Sequence, residues 1–438
     1  MKLFLKLAVT IIAFNQYAAL AQDTIPRVLK VEELFTLAEQ NSKSLLISKQ
    51  GIEVSKQKTE IARAARLPEM EASLSAGYIS NAVVLQPNFN YMESIAVPHF
   101  NNNFEFQATQ LLYGGKAVSN TIAKAELEEQ LSELNFDKDK ETIKMMLLSR
   151  YLNLYSLYNQ QRVYKTNINL AKAVLKNIND LHKEGMVTKN DVIRSELQIT
   201  DLELLADKVD NNIAIINREL CVVLGLPVNS KIMVDPTLTL FKTDENTFDG
   251  YLGEAFNKAP AMRANSINEE ISEKNIKIAK AQRLPKVSLY ADNGSVRPYI
   301  YVLPTLNNYV NLYHAGIKVS YDISSIYHAK EHIEMAEIEK NIQKTKSELV
   351  HEQTELEVNA AFIKYQEAKK ELSTREKSRL LADDNYRIVE KKYLNQLALL
   401  TDMLDASSSK LAAELNQSNA GINIVYQWYQ LQKATGNL

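Results

Sequence analysis

Residues 65–78 read Ala65-Arg66-Leu67-Pro68-Glu69-Met70-Glu71-Ala72-Ser73-Leu74-Ser75-Ala76-Gly77-Tyr78, and the pattern changes at the proline. Up to Pro68 the spacing is helical, and a proline pushes the residue before it out of helical backbone. After Pro68 the apolar set Met70, Ala72, Leu74, Ala76 and Tyr78 alternates with Glu71, Ser73, Ser75 and Gly77. A period of two places the two sets on opposite faces of a strand. The same switch recurs at Gln282-Arg283-Leu284-Pro285, followed by Lys286-Val287-Ser288-Leu289. The chain is therefore expected to consist of two copies of one order: helix, strand, loop, strand, very long helix, turn, helix.

Working outward, four alternating stretches are expected as strands, at about 69–80, 103–113, 286–293 and 309–323. Phe104, Phe106 and Ala108 alternate with Glu105, Gln107 and Thr109; Tyr313, Ala315, Ile317 and Val319 alternate with His314, Lys318 and Ser320. Tyr299, Tyr301, Tyr309 and Tyr313 cluster as an interfacial aromatic girdle would. A soluble sheet with one wet face gives the same alternation. The polar, Asn- and Pro-containing loops 81–101 and 293–308 favour a barrel, since both exceed a tight turn and long outer loops typify outer-membrane barrels.

The segments at about 116–182 and 327–392 contain neither Gly nor Pro and carry apolar residues at helical spacing, for example Met145, Leu148, Leu152 and Tyr155. At 1.5 Å per residue each would reach on the order of 100 Å. Residues 183–193 correspond to 394–404 as the turn after each long helix, and both copies then run to Leu224-Gly225 or Thr435-Gly436. Shorter helices are expected at about 31–66, 188–224, 251–283 and 398–435, two of them matching one long helix. Residues 226–250, with Pro227, Pro236 and Gly250, read as an equatorial connection between a first repeat (22–225) and a second (251–438).

Lys2 and Lys6, the apolar run Leu7 to Phe14, and Ala19-Leu20-Ala21 follow the order of a secretory signal peptide, so 1–21 is expected to be removed on export. Cys221 is the single cysteine, which leaves no internal disulfide and no lipoprotein-type cysteine near the cleavage site. No later segment has 18 consecutive apolar residues, so a membrane would have to be crossed by strands. Four strands cannot close a barrel, and an open edge in lipid leaves amides and carbonyls unpaired at several kcal/mol each. Oligomerisation follows from membrane insertion. A net charge of -2 supplies no field for nucleic acid, and the 45% apolar and 24% charged content is that of a folded chain.

With these residues in place, the whole mature chain resembles the TolC family of outer-membrane efflux proteins. The resemblance rests on Arg66-Leu67-Pro68, Arg283-Leu284-Pro285, Tyr113-Gly114-Gly115-Lys116 and the two helix-turn segments, with Asp402-Met403-Leu404-Asp405-Ala406 the strongest match. It implies a mainly α fold with a β-barrel part: a homotrimer with a 12-stranded barrel in the outer membrane and a 12-helix periplasmic tunnel. It also implies a periplasmic adaptor (membrane fusion protein) and an inner-membrane transporter as partners, with outer-membrane lipid around the barrel.

By the same resemblance Asp402 and Asp405 line the periplasmic entrance, and residues at i and i+3 do share a helix face. A ring of carboxylates favours cations; the plainer reading is that acidic residues at a helix N-terminus serve the helix dipole. Asp191 holds the equivalent place in the first repeat, and Tyr393 matches a position in the closed-state contacts. Ala398 replaces a basic residue that some members have, and Gln396 stands where the turn usually has Gly. Gly185, Met186 and Val187 match the adaptor-contacting tip.

His328-Ala329-Lys330-Glu331-His332 fits the H-x-x-E-H zinc-peptidase pattern, but nothing downstream supplies a third ligand. No G-x-S-x-G elbow, phosphate-binding loop or paired-Cys site is present, so no catalytic residue and no cofactor is expected. The expected function is a passive outer-membrane channel of a tripartite efflux system. The alternatives are the exit duct of a type I protein-secretion system and a soluble periplasmic coiled-coil scaffold.

Overall fold

A computed structural model describes residues 27–239, 246–302 and 304–438. The expected signal peptide lies outside the described residues. In chain order the elements are β1 (Arg27–Leu29), α1 (Val31–Asn41), α2 (Lys43–Ala64), β2 (Glu69–Tyr78), β3 (Ala82–Leu85), β4 (Tyr91–Ile95), β5 (Phe100–Tyr113), α3 (Ala117–Lys183) and α4 (Lys189–Leu224). There follow β6 (Ile232–Val234), a 3-10 turn (Pro236–Thr239), α5 (Phe248–Lys258), α6 (Pro260–Ala281), β7 (Lys286–Arg297), β8 (Val310–Ser320), α7 (Ser325–Leu394) and α8 (Leu400–Ala434). The fold is mainly α with a β part. α3 and α7 run 67 and 70 residues without a break.

The described chain forms two compact units. One takes the residues up to Lys49 with Asn135–Arg263 and Val350–Leu438; the other takes Gln50–Leu134 with Ala264–Leu349. In the first, Leu34, Leu147, Leu148, Tyr151, Leu154, Leu220, Leu224, Val358, Tyr365, Val425 and Leu431 form one buried core. In the second, the short helices are fastened to the long ones by polar contacts. Thr59 donates to the Ala125 carbonyl at 3.2 Å, and the Arg63 guanidinium meets Glu126 at 2.8 Å. Lys340 meets Glu273 at 3.1 Å, and Ala279 packs with Ile333 and Ala336.

Three features depart from the sequence reading. The stretches read as single helices over 31–66 and 251–283 are each broken, at Ser42 and at Ala259. Ser42 takes extended backbone at the end of α1, with its amide still bonded to Ala38, while Ala259 is held out of helical backbone by Pro260, the first residue of α6. The loop read over 81–101 contains the hairpin β3–β4, and β7 continues past 293 to Arg297. Finally, β1 pairs in parallel with β6, Arg27 to Ile232 through Leu29 to Val234. Strands of three residues are too short to show a period.

The β1–β6 pair is clamped from the helices. Asn217 donates to the Ser230 carbonyl at 2.7 Å and accepts from the Ile232 amide at 2.8 Å. The buried Tyr151 hydroxyl donates to the Leu29 carbonyl and accepts from the Asp235 amide at 3.0 Å; burial pushes its pKa up to about 12. α4 and α8 also end in the same way. Gly225 (φ 67°) and Gly436 (φ 73°) sit in left-handed backbone, and a Cβ on either would come 2.8 Å from Asn41 or from the Lys258–Ala259 backbone. Each glycine thus closes its helix against a break between two short helices, Gly225 at the α1–α2 break and Gly436 at the α5–α6 break.

Candidate functional site

The four-stranded sheet has the order β2-β5-β7-β8, antiparallel throughout. Its register aligns the alternation of every strand. Met70, Ala72 and Leu74 pair with Ala108, Phe106 and Phe104; Ala108 pairs with Ala291 and Gln110 with Leu289; these meet Ala315 and Ile317 on β8. That face carries an uncovered apolar band, with Leu74 77% and Ile317 67% exposed, and Asn293, Ser295 and Asn311 lie on it beyond the band. The other face carries Glu71, Glu105, Gln107, Asp292, His314 and Lys318, with His314 Nδ1 2.8 Å from Asp292. Here Tyr290 lies over Gly316, its hydroxyl 3.1 Å from where a Cβ would stand.

The apolar band slants across the register. The row through Leu74 runs by Phe104 and Ser295 to Asn311, whereas the apolar set of β8, Tyr313 to Val319, is centred about five residues further on. Five residues at ~3.3 Å over three strand spacings of ~4.8 Å correspond to strands tilted by about 50° from the normal to the band. Strands that cross a bilayer tilt by roughly 45° and need about 9–11 residues. β2 has 10 residues and β8 has 11. Both are edge strands, each with one neighbour.

In the other unit, two helical turns come together. After α3, Gly185 (φ 75°) turns the chain, with its amide on the His182 carbonyl at 3.0 Å and that of Met186 on Leu181 at 2.9 Å. After α7, Gln396 takes the same backbone (φ 63°), with Gln396 N on Tyr393 O at 2.9 Å and Leu397 N on Lys392 O at 2.7 Å. The expected glycine is absent, but the left-handed turn is retained at a cost of about 1–2 kcal/mol. The Gln396 amide reaches Met186 Sδ at 3.3 Å, and His182 Nδ1 lies 2.9 Å from the Val187 carbonyl. Beneath the turns Ile178, Val192, Tyr386, Tyr393, Leu400, Met403 and Ala406 form one buried cluster, with Val187 and Ala398 at its margin.

Each aspartate at the start of a returning helix serves as a cap. Asp191 accepts from the Thr188 amide at 2.9 Å while its own amide donates to Thr188 Oγ1 at 3.3 Å. Asp402 accepts from the Leu399 amide at 3.0 Å through one oxygen. Asp402 and Asp405 are both exposed. Among the described residues no Lys or Arg within the chain pairs with Asp191, Asp402 or Asp405. Tyr393 is buried, its hydroxyl without a hydrogen-bond partner among the described residues; burial first, and the charge of Asp191 second, push its pKa up. Val192, the residue after Asp191, thus lies in one buried cluster with Tyr393.

Sequence reading missed two neighbours of this region. Lys410 bridges α8 to α7, 2.8 Å from Asp383, whose carboxyl it holds below the usual range, and 4.9 Å over the Tyr386 ring. At the tip Met186, Leu394, Leu397 and Leu399 are exposed, a signal legible as leucines beside a turn. Gly185 is exposed there and Val187 partly so. His328 and His332 are exposed on the first turns of α7, and the described residues hold no group of three His, Cys, Asp or Glu able to bind a metal. No described helix is long and apolar enough to cross a membrane.

The described residues thus combine an uncovered two-faced sheet with long helical hairpins. Residues 251–437 match the family model of the outer membrane efflux protein. The described fold is similar to the outer membrane protein VceC from Vibrio cholerae (TM-score 0.74, 16% identity, 93% of this chain and 96% of that one). It is similar to CusC (0.77, 14%, 93% and 92%) and to the CmeC outer membrane channel of Campylobacter jejuni (0.73, 15%, 93% and 85%). No curated protein matches in sequence. The TolC-family resemblance read from the residues therefore holds, with the family-model match in the second half of the chain and the similarity of fold over nearly all of it.

Proposed function

We propose that the chain is one third of a homotrimeric outer-membrane channel that passively conducts substrates out of the periplasm. The observation that carries this is the sheet: one apolar face, one polar face and two unpaired edges. In lipid those edges must close, and β8 of one copy beside β2 of the next continues the antiparallel order without interruption. Three copies give 12 strands, with the Leu74 face to lipid and the Glu105 face to a wet lumen. The repeats 22–225 and 251–438, joined by 226–250, would supply matching hairpins to a periplasmic helical tunnel.

At the turns, Asp402 and Asp405 would line the entrance, giving six carboxylates in a trimer. The capping role of Asp402 is compatible with this, because it engages one oxygen only. Asp191 and Tyr393 would belong to the contacts of the closed state, with no lysine or arginine in place of Ala398 to lock them. Gly185, Met186 and Val187, together with exposed Leu397 and Leu399, offer an apolar tip to a periplasmic adaptor, and an inner-membrane transporter would supply the energy. The test is conductance in planar bilayers. Cation-selective channels are expected, with selectivity reduced in Asp402→Asn/Asp405→Asn; selectivity unchanged in that variant removes the carboxylates from the mechanism.

A further inference from the structure

The two connections at the upper end of the sheet each carry uncovered apolar side chains. The first, between β2 and β5, carries β3–β4, a two-stranded sheet of its own with no partner in the main sheet. Val83 (60%), Tyr91 (65%) and Met92 (60%) are exposed on it. At its tip Phe89 stands in left-handed backbone (φ 66°), bonded through its amide to Gln86 and 83% exposed. An isolated two-stranded hairpin is marginal in water, so this one requires a cover.

Its base is firm: Asn81 accepts from the Val97 amide at 3.3 Å, the Ile79 amide donates to the His99 carbonyl at 2.9 Å, and the His99 ring stacks on Tyr78. The second connection, between β7 and β8, is pinned by a double bridge between Tyr299 and Leu306 and leaves Tyr301 80% exposed, with Ile300, Val302 and Leu306 partly so.

What covers these surfaces follows from topology and charge. Within the chain the two connections already stand above neighbouring strands, β5 and β7, and still leave these side chains bare. The remaining neighbour is across the subunit seam. The hairpin leaves the top of edge strand β2, and the Tyr301 connection enters the top of edge strand β8.

Counted from the centre of each strand's apolar band, β2 rises about four residues to Tyr78 and β8 about six to Val310. Their upper ends therefore reach similar heights. Residues 79–98 hold one charged side chain, Glu93, and 298–308 hold none, so neither segment suits the phosphates of a charged lipid surface. Both suit a dry contact with protein.

We infer that the β3–β4 hairpin of one copy packs on the Tyr301 connection of a second copy of this chain, forming a clasp above the membrane at each seam. The inference rests on the trimeric barrel proposed above. Disulfide trapping tests it on the full chain in membranes, since the native Cys221 is fully buried and silent.

Val83→Cys with Tyr301→Cys in one chain, after oxidation, is expected to run as reducible dimers and trimers, while each single variant stays monomeric on the gel. A ladder from Val83→Cys alone, meaning that hairpins meet each other over the pore, overturns the clasp. So does the absence of a ladder in a double variant whose native mass is trimeric. A monomeric native mass overturns the trimer itself, and the clasp with it.

Discussion

Leu74 and Ser73 are one residue apart and, on this account, face different solvents. Leu74 lies at the centre of the apolar set of β2, and Ser73 pairs with Glu105 on the polar face. A lysine on the lipid side of a transmembrane strand costs about 2–4 kcal/mol near the midplane. Three copies carry the change, so Leu74→Lys is expected to cost about 6–12 kcal/mol per trimer. Ser73→Lys places its ammonium opposite Glu105 in a wet lumen and is expected to be neutral or to gain up to about 0.5 kcal/mol per copy. Urea unfolding from lipid vesicles, followed by loss of the heat-resistant folded band on gels, reads both. For a soluble sheet the prediction is different: Leu74 is 77% exposed, and a lysine there changes stability by less than about 0.5 kcal/mol. Equal midpoints for the two variants would refute the assignment of faces.

Gln396→Gly relieves a left-handed residue and is expected to stabilise the second turn by about 0.5–1 kcal/mol, slowing amide exchange at Leu397 about two- to five-fold; no slowing contradicts the strained turn. Asn217→Ala removes both bonds that hold Ser230 and Ile232 and is expected to cost about 2–3 kcal/mol, measured as a lowered unfolding midpoint. Glu141 is half-buried, and burial pushes its carboxyl up to about 7 against the opposing pull of Lys433 and Lys144, with Asp137 and Glu357 adding to the rise. The folded chain then binds the proton more tightly than the unfolded one, so stability falls as pH rises between about 4.5 and 7. Glu141→Gln is expected to gain on the order of 1 kcal/mol at pH 8, after solvent screening, and nothing at pH 4; a gain equal at both pH values contradicts the shift.

The features legible in the sequence were those with a period or a proline. Alternation from Met70 to Tyr78 announces the strand, Pro68 and Pro285 mark the joins, and the Gly- and Pro-free runs announce α3 and α7. The breaks at Ser42 and Ala259 were harder to read, because apolar spacing continues through both and only the cap and Pro260 give them away. The β1–β6 pair was invisible, since a three-residue strand has no period and its partner lies some 200 residues away. At the turns, Asp191 and Asp402 were legible as acidic residues at helix starts, but their capping bonds are three-dimensional facts. Lys410 over Tyr386 joins two helices and has no local signature.

Closure of the open sheet by three chains in a membrane underlies every assignment above. Its most direct test is the native mass of the protein extracted from the outer-membrane fraction in a mild detergent. A particle of three chains is expected, each below the 49.6 kDa of the full sequence if the leader is removed, and recovered only with detergent. A single chain released into the periplasmic fraction without detergent would contradict it.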